Sequence, residues 1–176
     1  RAARAVYLVV NELEGADRAI RTASETDAIG ALLAVAYAAF EAGDSELEKP
    51  VLTRLSRLAP TLPYSFERLS FIAFDEDDPT AAANALVVAT RLEPDSDLYW
   101  TNLGWSYYLL DRLEESRTAS QRAVTLAPSQ EIAWFNLGLA YAVEDNLEQA
   151  MPAYEAALEE DPDVNDEAIV DLENAL

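Results

Sequence analysis

The chain has 176 residues, 51% of them hydrophobic, so it is long enough and apolar enough to bury a sizeable core. It carries 33 acidic and 12 basic residues, and its net charge of −21 makes DNA, RNA and anionic membranes poor partners because it repels phosphate. The sequence contains no cysteine and no histidine, which excludes disulfides, thiolate metal sites and the usual base–nucleophile pairs of enzymes.

The N-terminal segment, residues 1–28, is predicted to form two helices, over 1–13 and 16–26, that break near Gly15. We expect them to be capping helices or a degenerate repeat. The apolar run Ala5–Val10 is far shorter than the ~20 residues of a membrane helix, so we expect no bilayer span. The sequence begins without a methionine, so we expect native residues upstream. The protein is expected to be soluble, in the cytoplasm or a periplasm-like compartment.

Prolines recur with a period of 34 residues in the rest of the chain, at Pro60, Pro94, Pro128 and Pro162. Each follows a stretch with helical periodicity, which a proline cannot continue. A fixed period of this length is typical of repeat proteins. Aligned on the prolines, the sequence divides into four segments: 29–62, 63–96, 97–130 and 131–164.

The segments share a pattern in which a large residue precedes Leu-Gly, then Tyr, then small residues and the closing proline. The third contains Trp100, Leu103, Gly104, Tyr107, Ala123 and Pro128, and the fourth Trp134, Leu137, Gly138, Tyr141, Ala150, Ala157 and Pro162. The second keeps Phe66, Leu69, Ser70, Ala82, Ala89 and Pro94. The first departs from it, with Glu48 and Leu55 where small residues are usual. Over residues 29–164 this pattern resembles the tetratricopeptide-repeat (TPR) family.

The resemblance implies an all-α fold, a right-handed superhelical solenoid of antiparallel helix pairs with about eleven helices in all. Its repeats would be TPR 1 (29–62, degenerate), TPR 2 (63–96), TPR 3 (97–130) and TPR 4 (131–164). Residues 165–176 have an amphipathic pattern and are expected to form a C-terminal capping helix, beyond which the native chain can continue.

The spacing within each repeat agrees with this fold. Trp134, Leu137, Gly138 and Tyr141 fall at i, i+3, i+4 and i+7, on one face of a helix. Small residues on that face let a second helix approach, and large ones fill the space around them. The predicted repeat core is Phe66, Leu69, Trp100, Leu103, Gly104, Tyr107, Trp134, Leu137, Gly138 and Tyr141.

We expect no catalysis, no cofactor and no metal. The acidic run 75–78 invites a calcium site, since hard cations take clustered oxygens, but it lacks the glycine and distal glutamate of an EF-hand loop. Helix capping by Asp78 before Pro79 is the alternative that we favour. Pro50 and Pro152 lie early in predicted second helices, where proline is tolerated.

A second apolar stripe runs one residue past the core face of each first helix. It contains Leu33, Tyr37, Phe40, Glu67, Phe71, Phe74, Thr101, Trp105, Tyr108, Phe135, Leu139 and Ala142. Packing a helix on its hairpin partner requires only one stripe, so the second must cover another surface. In TPR proteins these positions line the concave groove, where ligands dock. The alternative is that part of the stripe packs on the first helix of the next repeat.

The groove is predicted to bind an apolar or aromatic peptide or an amphipathic helix, with basic residues meeting an acidic rim. Arg68 is the one cation placed to reach into it, and Asn102 and Asn136 could hold a peptide backbone through their amides. The predicted site residues are Tyr37, Phe40, Arg68, Phe71, Phe74, Asn102, Trp105, Tyr108, Phe135, Asn136 and Leu139. The alternative is a homo-oligomeric scaffold in which Ala5–Val10 of a neighbouring copy fills the groove.

Overall fold

The computed structural model describes residues 25–160, and every regular element in that range is an α-helix. The helices are α1 (Glu25–Ala42), α2 (Ser45–Leu58), α3 (Pro63–Asp75), α4 (Pro79–Leu92), α5 (Asp97–Leu109), α6 (Leu113–Leu126), α7 (Glu131–Val143) and α8 (Leu147–Glu160). The all-α fold class is confirmed. The other helices of the expected eleven were predicted at the two termini, outside the described residues.

Three first helices begin where the proposed repeats begin, at Pro63, Asp97 and Glu131. α1 is different, because it includes Glu25 and continues past the proposed boundary at residue 28. The predicted helix end at residue 26 is therefore wrong, and the sequence offers no proline near this boundary that would stop the helix. No helix within residues 25–160 combines the length and apolarity needed to cross a membrane.

The turns inside the four helix pairs have the same backbone geometry. Each contains one residue in the left-handed region, with φ of 67° at Gly43, 56° at Asp77, 57° at Asp111 and 58° at Asp145. That residue and the next one donate hydrogen bonds to the last turn of the preceding helix. In the third pair, the backbone nitrogens of residues 111 and 112 reach carbonyl oxygens of residues 108 and 107, both at 2.9 Å. The turn thereby satisfies carbonyls that the end of a helix leaves unpaired.

Aspartates cap two of the second helices. Asp44 Oδ1 accepts a hydrogen bond from the Leu47 nitrogen at 3.0 Å, and Asp78 Oδ1 accepts one from the Ala81 nitrogen at 2.9 Å. The capping role predicted for Asp78 is confirmed. No group of three or more acidic residues in the described part of the chain is arranged to hold a metal ion. α2 and α8 continue through their prolines without a break in the helix.

The chain packs as two compact units, one ending at Ile72 and the other beginning at Ala73. In the first unit α1 packs on α2, and the core contains Leu32, Val35, Ala36, Val51, Leu52, Leu55 and Ile72. In the second unit α5 packs on α6 and α7 on α8, and the two pairs meet through α6–α7 and α5–α7 contacts. α4 packs on α5 at the start of this unit.

The ten predicted core residues differ in how far they are buried. The small and aliphatic Leu103, Gly104, Leu137 and Gly138 are buried, whereas the other six are half-buried: Phe66, Leu69, Trp100, Tyr107, Trp134 and Tyr141. The indole hydrogen bonds show why Trp100 and Trp134 are only half-buried. Their Nε1 atoms donate to loop carbonyls at the preceding repeat boundary, Trp100 to Pro94 at 2.9 Å and Trp134 to Pro128 at 2.7 Å. An indole that donates to a surface loop stays partly exposed, yet Trp100, Trp134 and Tyr141 still pack against the buried cluster of Ala123, Val124, Ala133, Leu137 and Ala153.

Candidate functional site

The first unit carries an exposed aromatic pair on α1. Tyr37 is 59% exposed and Phe40 43% exposed, and the two rings meet edge to face with centroids 6.4 Å apart. From α3, the Arg68 guanidinium lies 4.1 Å from the Phe40 ring centre and 5.7 Å from that of Phe71. These four side chains form the Tyr37 surface.

Arg68 is held in this position by an ion pair with Glu48. Its Nε and Nη2 atoms lie 2.8 Å and 3.1 Å from the two carboxylate oxygens, and Glu48 is only 2% exposed. The hydrogen bond that Arg68 donates to Glu48 raises the pKa of Arg68 further above its ordinary value. The pair uses two of the five N–H donors of the Arg68 guanidinium, and the role predicted for Arg68 toward a ligand stays a prediction. The ion pair also explains why position 48 has glutamate, where the repeat pattern usually has a small residue.

Burial of the neighbouring Tyr64 accompanies this ion pair. Its hydroxyl has no hydrogen-bond partner among the described residues. Burial raises the pKa of Tyr64, and the nearby Glu48 carboxylate raises it further. The interior side of the Tyr37 surface is thus fixed by charge and packing, while Tyr37 and Phe40 stay in solvent.

The second unit carries a stacked aromatic pair on α5. The Trp105 and Tyr108 rings lie with centroids 5.3 Å apart and planes inclined by 19°, and both are half-buried. They occupy the same repeat positions as Tyr37 and Phe40, two periods later. Asn102, one turn earlier on α5, is also half-buried. These three side chains form the Trp105 surface. Phe74, at the end of α3, is half-buried as well.

In α7, the second apolar stripe is covered by other side chains rather than open to solvent. Phe135 and Leu139 form a buried cluster with Ala157 of α8, and the rings packed against it are Trp105, Tyr108, Trp134 and Tyr154. The expectation that Phe135 and Leu139 line an open groove is therefore wrong. The predicted alternative, packing on the first helix of the next repeat, holds for Trp105 and Tyr108, whose rings pack against this α7 cluster. Phe135 and Leu139 instead pack on α8 and on these rings of the preceding repeat. Burial also raises the pKa of Tyr154.

Asn136 is likewise buried, at 2% exposure. Its Nδ2 atom donates to the backbone oxygen of Thr101 on α5 at 3.2 Å. The amide thus joins two successive first helices instead of facing a peptide, which corrects the role predicted for it. The sequence gives no sign of this difference between Asn102 and Asn136, because both precede Leu-Gly.

A cleft of about 710 Å³ lies between α4, α5 and α6. Its lining residues are Val87, Thr90, Arg91, Trp100, Leu103, Tyr107, Glu114, Glu115, Thr118 and Ala119. The sequence predicts three of them, on α5, only as core. The cleft was missed because it depends on which side chains two successive second helices contribute. Comparing those helices position by position across repeats would have indicated it.

Two tetratricopeptide-repeat families match the sequence, one over residues 72–131 and one over residues 132–164. The two matches are contiguous and together cover more than half of the chain. The chain belongs to the TPR family. TPR arrays use their repeated surfaces to bind other proteins, so this chain is a protein-interaction scaffold in its broad class of function.

Several solved TPR proteins have a similar fold. One is YrrB, described as a TPR protein with an unusual peptide-binding site, with a TM-score of 0.76 and 20% identity over 97% of this chain and 88% of that chain. MamA AMB-1 has a TM-score of 0.72 and 18% identity, over 96% of this chain and 93% of that chain. The Arabidopsis OM64 TPR domain has a TM-score of 0.59 and 17% identity, over 64% of this chain and 93% of that chain. At these identities the likeness is one of fold. Comparison with curated proteins gives no match.

Proposed function

We propose that this TPR protein is a non-catalytic scaffold that binds apolar or aromatic segments of partner proteins, at the Tyr37 surface in one unit and at the Trp105 surface in the other. The observation that carries the proposal is the exposure of Tyr37 and Phe40 side by side on α1. Leaving two large rings in water forgoes about 25 cal/mol for each Å² of apolar surface that could be buried. Large aromatic residues are also the type that dominates binding energy at protein interfaces.

The Trp105 surface supports the same role with different chemistry. Its stacked rings offer a flat apolar area, and the Asn102 amide beside them can both donate to and accept from a peptide backbone. With a net charge of −21, the chain favours partners in which basic residues flank the apolar side chains. YrrB, a protein of similar fold, has a peptide-binding site, which is consistent with a peptide ligand for this chain.

The test uses the full chain as bait in extract of its source cell, with captured proteins identified by mass spectrometry and the binding segment then synthesised. The double variant Tyr37→Ala with Phe40→Ala should weaken binding of that segment at least tenfold, about the loss expected when two partly exposed rings are removed from an interface. Ile132→Ala is the matched control. Ile132 is 49% exposed and also lies on a first helix, at a different repeat position.

Circular dichroism must show the same helicity for both variants. The proposal fails if the double variant binds the segment normally or if Ile132→Ala weakens binding equally. Light scattering of the chain alone, with and without residues 1–12, tests the alternative ligand, which is the segment Ala5–Val10 of a neighbouring copy. A dimer that dissociates when those residues are removed would make a neighbouring copy the ligand.

A further inference from the structure

The cleft between α4, α5 and α6 has a different charge at each end. α5 ends and α6 begins at one end, where Tyr107, Glu114 and Glu115 lie. α4 ends and α5 begins at the other, where Arg91 and Trp100 lie. The lining between the ends is largely apolar, with Val87, Leu103 and Ala119. The volume of about 710 Å³ is within the usual range of ligand sites.

In the next repeat, an arginine of the chain lies beside the tyrosine that corresponds to Tyr107. Tyr107 corresponds to Tyr141, 34 residues later. There, the Arg117 guanidinium lies 5.7 Å from the Tyr141 ring centre, and its Nε lies 3.8 Å from a carboxylate oxygen of Glu144. The residue of α4 that corresponds to Arg117 is Ala83. A methyl group thus stands in α4 where α6 provides an arginine side chain.

The Tyr107 end of the cleft has groups that bind a guanidinium. The Arg112 guanidinium already lies 4.4 Å from the Tyr107 ring centre and donates to Glu115 at 2.6 Å. The Glu114 carboxylate, in contrast, has no ion-pair partner among residues 25–160. An aromatic face beside an unpaired carboxylate is a favourable site for one more arginine.

We propose that this cleft binds an apolar segment of a partner protein through an arginine side chain, whose guanidinium pairs with Glu114 beside Tyr107. This arginine lies beside Tyr107 as Arg117 lies beside Tyr141 in the following repeat, with Glu114 rather than a counterpart of Glu144 as its carboxylate. Its aliphatic part and the adjoining apolar residues pack on Leu103 and Val87, and an acidic group further along the segment meets Arg91. The site is separate from the Tyr37 and Trp105 surfaces, so it does not rest on the function proposed for them.

The probe is the peptide acetyl-Arg-Leu-Ala-Leu-Glu-amide, titrated to millimolar concentration into the ¹⁵N-labelled full chain. The control peptide carries citrulline, which is neutral and nearly isosteric, in place of arginine. We expect saturable shifts at the amides of Tyr107, Glu114 and Thr118 and at the Trp100 indole. Both the citrulline peptide and the variant Glu114→Gln should bind about fivefold more weakly, the upper range for a solvent-exposed ion pair.

Two variants exchange alanine and arginine between positions 83 and 117, which correspond to each other in the two repeats. Ala83→Arg gives α4 the side chain that α6 has, so it should occupy the Tyr107 end of the cleft and abolish the shifts. Arg117→Ala should open the groove of the fourth repeat and add a second set of shifts at Tyr141 and Glu144, raising the number of bound peptides from one to two.

Three results would overturn the proposal: equal binding of the arginine and citrulline peptides, shifts confined to the Trp105 surface, or no saturable shift at millimolar peptide. If Ala83→Arg loses helicity by circular dichroism, the comparison of the two peptides and the variant Glu114→Gln still decide the question.

Discussion

At the scale of single residues, the four turn positions 43, 77, 111 and 145 share one backbone conformation but not one residue type. Glycine occupies the first and aspartate the other three, all with φ between 56° and 67°. An L-residue in this region loses ~1–2 kcal/mol relative to the right-handed conformation, whereas glycine does not. The aspartates also place negative charge at the ends of helices, where the macrodipole is itself negative.

We expect Asp111→Gly to raise the free energy of unfolding by about 0.5–1 kcal/mol, because relief of the left-handed conformation exceeds the entropy that glycine adds to the unfolded chain. Asp111→Ala should lower it. Urea unfolding followed by circular dichroism measures both. Asp111→Asn controls for charge, and if it stabilises as much as glycine, the charge at the helix end is the cause rather than the backbone.

Tyr154 has a residue-scale consequence for stability at high pH. Burial raises its pKa above the ordinary value of 10.0, so the unfolded chain releases the proton first. The stability that depends on the neutral hydroxyl is complete below pH 10.0 and is lost as pH rises above it. The hydroxyl has no hydrogen-bond partner among the described residues, so Tyr154→Phe should be nearly neutral at about pH 7.

Thermal unfolding between about pH 8 and pH 11 checks this. The midpoint of the wild-type protein should fall more steeply at the alkaline end than that of Tyr154→Phe. Parallel curves for the two proteins would mean that Tyr154 ionises as readily in the folded chain as in the unfolded one.

At the scale of helices, glycine has a packing role in one helix and none in another. A Cβ built on Gly138 of α7 would lie 2.6 Å from Cε1 of the Tyr154 ring, which sits on α8. Within the described part of the chain, no heavy atom outside the backbone of α1 itself lies within 4 Å of such a Cβ on Gly30. Gly138→Ala should therefore destabilise the protein by about 1–3 kcal/mol through overpacking. Gly30→Ala should stabilise it by about 0.5–1 kcal/mol through helix propensity.

Chemical denaturation of the two alanine variants gives the comparison. Equal effects of the same sign would contradict the close α7–α8 approach, because propensity alone would then account for both. Trp134 fluorescence, close to this junction, should change only in Gly138→Ala.

The second apolar stripe of the first helices shows what the pattern of a single helix does not predict. The same repeat position is exposed at Tyr37, half-buried at Phe71 and Trp105, and buried at Leu139. Periodicity predicts that the position faces away from the hairpin partner, but not what lies against it. In α7 the covering groups are rings of α5 and α8.

At the scale of the whole molecule, the sequence predicted the all-α TPR fold because the period is carried by residues that every repeat needs to pack its own two helices. The candidate site was predicted less well, because it depends on residues that differ between repeats. The Glu48–Arg68 ion pair joins residues 20 positions apart in a repeat that departs from the pattern. Near the cleft at Tyr107, the chain has alanine at position 83 where the next repeat has arginine at position 117.

The charge of the whole chain leads to the last prediction. With 33 acidic and 12 basic residues, the folded chain concentrates a net charge of −21, and the excess of carboxylates over cations leaves most carboxylates uncompensated by ion pairs. Repulsion among exposed charges is screened within about 10 Å at 0.1 M salt, so sodium chloride should raise the thermal midpoint. Replacing the exposed Glu46, Glu93 and Glu159 by lysine should reduce that rise, since it lowers the repulsion that salt screens. Differential scanning calorimetry of both proteins across a salt series measures it. A midpoint that stays flat or falls with salt would mean that the carboxylates are compensated locally, and that long-range repulsion does not limit the stability of this fold.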